Sequence, residues 1–289
     1  MRDMEDFATN GTGRTAPEQP PERSPERSPE QPPERSPEQP PERSPEQPPE
    51  IPGRGAPASL LVVAAHPDDI EFCVSGTVMQ WIARGTRVTY CIVTDGGAGG
   101  YDEQLPRQAM ADLRRAEQVH SAKLSGVADV RFLGYPDSFV EASVELRRDL
   151  CRVIREVRPQ RAIIPSPEIN WARVADLHPD HRAVGDACLR AVYPEARNPF
   201  AHAQLLKEEG LEPWTVHELW LMTGPTPNQY VDVTSVFDRK VEALRIHTSQ
   251  TAHFDDLAGL LRTWLGEHAT AGGLPPGRMA EAFQIVHID

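Results

Sequence analysis

Two short clusters of histidine and aspartate hold the side chains with the greatest capacity for chemistry. They are His66-Pro67-Asp68-Asp69 and, much later in the chain, His178-Pro179-Asp180-His181. Imidazole nitrogens and carboxylate oxygens are common ligands of catalytic zinc, which keeps one coordination position open for water or substrate. We therefore expect the two clusters to form two halves of one catalytic zinc site.

The two neighbouring carboxylates of the first cluster, Asp68 and Asp69, are expected to have different roles. His66 and Asp69 are three residues apart, a spacing at which a strand-to-helix turn can aim both side chains at one ion. Asp68 projects in another direction, so it is free to accept a proton from a metal-bound water. Alone, the four residues are only suggestive, because helix capping is about as good an explanation for Asp68 or Asp69.

The second cluster precedes an apolar helix, with Pro179 suited to the first helical turn. One of its two histidines can supply a third zinc ligand. The other would then lie near the carbonyl oxygen on which negative charge develops during hydrolysis. A lone histidine is more often structural, and that interpretation suits six of the others, His120, His202, His217, His253, His268 and His287.

The elements that must position these clusters alternate between strands and helices. The continuous apolar run at 59–65 is typical of a strand buried on both faces, and the first cluster follows it directly. Further strands are predicted at 87–94, 129–134, 161–166, 217–224 and 229–234, and helices at about 73–85, 107–123, 144–158, 180–192 and 235–249. This alternation predicts an α/β fold with a Rossmann-like, doubly wound, mostly parallel sheet, which binds ligands at the carboxyl ends of its strands. The last forty residues show no clear pattern.

Composition excludes several classes of protein. The formal net charge of -13 over 289 residues, without a basic stripe, argues against nucleic acid as a partner. The four cysteines are far apart in apolar segments, which is typical of free thiols in a reducing cytoplasm. The N-terminus lacks the features of an export signal, and no apolar run approaches the length of a membrane span.

The N-terminal region repeats Pro-Glu every four residues from Pro17 to Pro52 and contains no apolar residue between Pro17 and Glu50. Frequent proline blocks helix and sheet, and without apolar surface nothing offsets the entropy lost on ordering. We expect residues 1–57 to be a disordered tail and residues 58–289 to be a single catalytic domain.

Several spaced motifs together resemble the LmbE-like, or PIG-L, N-acetylglucosaminyl deacetylases, in particular the branch that contains diacetylchitobiose deacetylases. The matching segments span about 58 to 250 and are residues 66–71, Gly76, 94–96, 113–117, 178–183, 231–234 and 247–250. The resemblance implies a zinc cofactor, Zn²⁺, held by His66, Asp69 and His181. It also implies that Asp68 is the general base.

The same resemblance gives roles to the residues around the metal. It implies that His178 is the general acid or oxyanion stabiliser and that Asp180 orients a histidine. Arg114 corresponds to an arginine that reaches the substrate, and Arg107 is a rival for that role. The stretch from Glu168 to Leu177 is expected to shape the rim of the substrate site.

The function implied is zinc-dependent removal of an acetyl group from an N-acetylated amino sugar or glycoconjugate. The substrate would be a small molecule, and a homo-oligomer is compatible with the family. One alternative is an amidase acting on a thiol-sugar conjugate, with the same chemistry on another acyl group. Another is a non-catalytic glycan-binding module, which Asp68 and His178 argue against because a binding module needs no free base.

Overall fold

A computed structural model describes residues 55–288 of the chain, apart from 103, 172 and 175–177. Almost all of the tail expected at residues 1–57 lies outside the described residues, so its disorder stays a prediction. The stretch from Glu168 to Leu177 is described only in part.

One seven-stranded sheet organises the described part of the chain. Its strands are β1 (Ser59–Ala64), β2 (Arg87–Thr94), β3 (Asp129–Tyr135), β4 (Arg161–Pro165), β5 (Glu218–Met222), β6 (Gln229–Asp232) and β7 (Ala280–His287). They lie in the order β3-β2-β1-β4-β5-β7-β6. The first five strands pair in parallel, and β7 runs antiparallel to both β5 and β6. The predicted doubly wound, mostly parallel α/β fold is therefore confirmed.

Helices connect and cover these strands. They are α1 (Asp69–Cys73), α2 (Ser75–Ile82), α3 (Arg107–Ser125), α4 (Val144–Val157), α5 (Pro179–Arg190), α6 (Ala203–Lys207), α7 (Phe237–Arg245), α8 (Thr248–Thr251) and α9 (Leu257–Ala271). None of the helices in the described ranges combines the length and apolar composition needed to cross a membrane.

The sheet is buried on both faces, as the continuous apolar run of β1 predicts. Leu61 and Val63 belong to the core on one face, and Leu60 and Val62 belong to the core on the other. Successive side chains of a strand point to opposite faces, so a strand covered on both sides needs an unbroken apolar run. All four cysteines are free thiols.

Two predicted helices are divided in the structure. The segment predicted as one helix at 73–85 is interrupted at Val74, whose φ of -140° is not helical, so that Cys73 ends α1 and α2 begins with the residue after Val74. The helix predicted at 235–249 ends at Arg245, and α8 begins only after His247. The chain turns there and buries the His247 side chain against Glu71.

The order of the strands brings the two histidine clusters together. The direction of strand addition reverses between β1 and β4, and the loops that follow two such strands diverge to leave a crevice. The first cluster follows β1, and the second begins α5 after β4. Gly185 lets α5 lie directly against the end of β4, because a Cβ atom there would be 2.5 Å from the Pro165 carbonyl oxygen.

A buried ion pair fixes the region where α1 meets α2. Lys240 and Glu281 are fully buried, and their charged atoms are 2.7 Å apart. The Lys240 ammonium also donates to the carbonyl oxygens of Glu71 and Phe72. Glu281 in turn accepts hydrogen bonds from two backbone N–H groups in the first turn of α2. The pair thereby ties α7 and β7 to the helices that follow the first histidine cluster.

The substitution Lys240→Met is expected to lower the free energy of unfolding by about 3–5 kcal/mol, because it leaves a buried carboxylate without its cation. Lys207→Met is the matched control, since Lys207 is exposed at the end of α6, and its effect should stay within about 0.5 kcal/mol. Urea denaturation of both variants measures the difference. Equal losses would show that the buried pair contributes no more than a surface lysine.

Candidate metal centre and active site

Three side chains from the two clusters point their donor atoms at one another. His181 Nε2 lies 3.1 Å from Asp69 Oδ1 and 3.2 Å from His66 Nδ1. The remaining distance, from His66 Nδ1 to Asp69 Oδ2, is 3.6 Å. The fold thus brings together the three residues that the sequence proposes as zinc ligands.

The other nitrogen of His66 is held by two carboxylates. His66 Nε2 lies 3.1 Å from Asp137 Oδ1 and 3.2 Å from Asp180 Oδ2. Because carboxylates only accept hydrogen bonds, the Nε2 atom carries a hydrogen, and Nδ1 can keep a lone pair for a metal. Asp180 is thus one of the two carboxylates in contact with His66, and its role in orienting a histidine stays a prediction.

Electrostatics indicate that this cluster attracts a cation. Burial acts to lower the pKa of His66, but Asp137, Asp180 and Asp69 outweigh it and raise that pKa to about 12. Burial acts to raise the pKa of Asp69, and the neighbouring His181 and His66 hold it well below its usual value instead. A set of two histidines and one aspartate is a typical donor set for catalytic zinc, so the residues present fit that metal.

Asp68 is set apart from the three donors by its backbone. Its φ of 94° lies in the left-handed region, which is uncommon for a residue with a side chain. Its N–H donates to Gln118 Oε1 at 3.0 Å, and its carboxylate lies 3.4 Å from the Arg114 guanidinium. Burial raises the pKa of Asp68 to about 7, although the positive charge of Arg114 opposes the rise.

A buried polar network supports this backbone conformation. The Gln118 amide donates to Glu71 Oε1 at 3.1 Å and to Oε2 at 3.2 Å. His247 Nε2 lies 3.2 Å from the same carboxylate, and all three side chains are fully buried. Burial acts to lower the pKa of His247, but the adjacent Glu71 carboxylate raises it. Sequence reasoning assigned no role to Gln118 or Glu71.

His178 is the N-cap residue of α5, and one of its ring nitrogens accepts a hydrogen bond from the backbone. Its Nδ1 accepts a hydrogen bond from the Asp180 N–H at 3.2 Å. Burial and the charge of His66 lower the pKa of His178, which favours the neutral ring. Since Nδ1 accepts, the neutral ring carries its hydrogen on Nε2. His178 is therefore equipped to donate a hydrogen bond to an oxygen that gains negative charge.

Asp137 is a site residue that sequence reasoning missed. It follows the carboxyl end of β3, at the edge of the sheet that carries both clusters, and this placement is the signal that could have found it. Its carboxylate accepts from the Ala98 N–H and lies 3.7 Å from Arg114. Burial acts to raise the pKa of Asp137, but its hydrogen bond with His66 prevails and lowers it to about 2.

Arg114, the predicted substrate contact, is buried and is engaged by the protein. Its guanidinium donates to the carbonyl oxygens of Pro67 and Gly96, at 2.7 and 2.9 Å. Its rival Arg107 donates to the Asp137 carbonyl oxygen. These contacts give Arg114 a part in shaping the first cluster, and a contact with substrate stays a prediction for both arginines.

A second group of possible metal donors lies away from this site, at Cys151, Glu195 and His202. Its carboxylate already binds Arg147 at 2.8 Å and His202 at 2.9 Å. Burial raises the pKa of the Cys151 thiol to about 12, which disfavours the thiolate form that metals bind. The cluster of His66, Asp69 and His181 is the better candidate.

Comparison with known proteins agrees with this geometry. Residues 61–192 match the family described as PIG-L, GlcNAc-PI de-N-acetylase. Diacetylchitobiose deacetylase of Thermococcus kodakarensis is 30% identical over 191 residues, which are 66% of this chain and 69% of the relative. A probable N-acetyl-alpha-D-glucosaminyl L-malate deacetylase 2 of Bacillus anthracis is 31% identical over 67% of this chain and 81% of its own.

A solved structure gives the same result. The N,N'-diacetylchitobiose deacetylase from Pyrococcus horikoshii, crystallised with an inhibitor, superposes with a TM-score of 0.73 at 30% identity. The superposition covers 80% of this chain and 84% of that one. These relatives are deacetylases that act on N-acetylated sugars, and the match spans the first and second histidine clusters. The chain therefore belongs to the PIG-L family of N-deacetylases, also called LmbE-like.

Proposed function

We propose that this chain is a zinc-dependent hydrolase that removes the acetyl group from an N-acetylated amino sugar. One observation carries the proposal: the donor atoms of His66, Asp69 and His181 lie within 4.8 Å of one another, and the adjacent Asp68 is not one of them. The activities of the related deacetylases support the choice of substrate class. The free cysteines support a cytoplasmic location.

The chemistry divides between the metal and the protein. Zinc, when bound, lowers the pKa of water and polarises a carbonyl oxygen. Asp68 accepts the proton that water loses as its oxygen attacks the acetamide carbon. The bond from that carbon to nitrogen then breaks, a proton is delivered to the nitrogen, and the products are acetate and the free amine.

His178 and the carboxylates around His66 have separate parts in this reaction. His178 donates a hydrogen bond from Nε2 to the carbonyl oxygen as negative charge builds on that oxygen. Asp137 and Asp180 hold the opposite side of His66, which keeps its Nδ1 lone pair available to the metal. Gln118 holds the Asp68 backbone in the conformation that separates its carboxylate from the ligands.

The first test is metal-dependent turnover. Protein treated with a chelator and freed of it by dialysis should release no acetate from N-acetylglucosamine or diacetylchitobiose, and added zinc should restore the release. Acetate is measured by a coupled enzymatic assay, and metal content is measured on the same sample. Turnover that persists without metal, or zinc-loaded protein that is inactive on a panel of N-acetylated sugars, would contradict the proposal.

Neighbouring aspartates provide the second test. Asp68→Asn should lower kcat by about 10²- to 10⁴-fold, the usual contribution of a general base, while zinc stays bound. Asp69→Asn, the same change one residue later, should lose zinc because it removes a ligand. Metal analysis and kcat measured on both variants separate the two roles. An Asp68→Asn enzyme with full zinc and unchanged turnover would exclude Asp68 as the base.

A further inference from the structure

A pocket of about 460 Å³ lies beside the candidate metal centre, and Asp69 and His181 are part of its lining. One wall comes from α9, with Leu260, Leu261 and Trp264. Phe72 of α1 contributes to the same lining. We refer to this space as the α9 pocket. Because its lining includes two of the proposed ligands, the α9 pocket borders the place where a substrate at the metal would lie.

Most of the surface of the α9 pocket is apolar, although its lining also includes Arg173, Thr223, Thr263 and Glu267. Sugar hydroxyls are recognised mainly by placed donors and acceptors, whereas Leu260, Trp264 and Phe72 offer apolar surface. Leu260 is 47% exposed, and Trp264 is only partly buried against the helices beneath it. This apolar surface gains free energy when a ligand removes it from water.

Exposed aromatic side chains recur on the loops at the same edge of the sheet. Tyr101 follows β2, Phe139 follows β3 and Trp171 follows β4, and these three are between 71% and 78% exposed. All three lie on loops that follow the carboxyl ends of strands, the edge of the sheet at which an α/β fold binds its ligands.

The chain's own N-terminal repeat is a poor occupant for this pocket. Residues between Pro17 and Glu50 include no apolar side chain other than proline and alternate with charged glutamates and arginines. The apolar wall favours an apolar occupant, and the position of the pocket beside the candidate metal centre favours a group carried by the substrate.

We propose that the α9 pocket binds an apolar substituent of the substrate, an alkyl chain or an aryl ring attached to the amino sugar. The inference rests on the proposed deacetylase function and narrows its substrate class to amphiphilic amino-sugar derivatives. Such a substituent can come from two sources, the acyl group on nitrogen or the aglycone at the anomeric carbon. The two sources share the same chemistry and differ in where they are attached.

Binding measured without turnover tests the aglycone. Phenyl glucosaminide and methyl glucosaminide lack an amide and are not hydrolysed by a deacetylase, so their affinities for the full-length, zinc-loaded protein can be compared by calorimetry. The phenyl compound should bind about tenfold or more tightly, since even one methylene in an apolar pocket changes affinity or specificity by about that factor. The N-acyl source is tested by N-hexanoylglucosamine against N-acetylglucosamine, with the Asp68→Asn protein to prevent hydrolysis.

A matched pair of variants tests whether the preference for apolar ligands arises in the α9 pocket. Leu260→Gln should reduce the apolar preference to less than threefold, whereas Leu189→Gln on α5, where the leucine is 39% exposed, should leave it unchanged. A preference in either ligand series that Leu260→Gln abolishes supports the proposal and identifies the source. Equal affinities in both series, or a preference that survives in Leu260→Gln, overturn it.

Light scattering on the same proteins tests whether a second copy of the chain occupies the α9 pocket. If Leu260→Gln changes the oligomeric state and Leu189→Gln does not, the pocket is filled by a second copy of the chain and the proposal fails. Acetate release separates the role of the α9 pocket from the proposed deacetylase function. A protein that deacetylates N-acetylglucosamine but shows no preference for apolar ligands would refute the role of the pocket and leave the proposed function intact.

Discussion

The candidate site depends on His66, whose two ring nitrogens face different partners. Its Nε2 faces two carboxylates, Asp137 and Asp180, at 3.1 and 3.2 Å, and its Nδ1 faces His181 and Asp69. Without the carboxylates, the ring would be free to change tautomer or turn away from the donor cluster. The end of β3, the start of α5 and the loop after β1 must therefore meet at one place, which the reversal of strand order between β1 and β4 allows.

Beneath this ring, a second layer of buried polar groups fixes the chain that follows β1. Gln118 connects the Asp68 backbone with the Glu71 carboxylate, and Lys240 binds the Glu71 carbonyl oxygen. Buried polar groups of this kind are costly unless every partner is in place. Their satisfaction allows Asp68 to keep a left-handed backbone conformation next to Asp69. Asp69 can thus bind the metal while the adjacent Asp68 accepts a proton.

Local patterns in the sequence were sufficient for the frame of the fold and for the two histidine clusters, whereas the choice of His181 as the third predicted ligand came from the family resemblance. The run of β1 is continuous and apolar, β2 is rich in β-branched residues, and the two clusters combine chemically distinctive residues in four positions each. The contacts of Gln118, Glu71 and Asp137 could not be predicted in the same way, because each depends on residues far away in the chain. Asp68 and Gln118, for instance, are fifty residues apart. The antiparallel place of β7 between β5 and β6 was equally inaccessible, since strand pairing at that distance leaves no local signature.

We propose that His66, Asp69 and His181 together hold one zinc ion. X-ray diffraction from crystals grown with zinc, recorded on both sides of the zinc absorption edge, tests this proposal. We expect one strong anomalous peak about 2.0–2.2 Å from donor atoms of these three residues, with Nδ1 as the contributing atom of His66. A crevice without an anomalous peak, or a peak at Cys151, Glu195 and His202 instead, would contradict it.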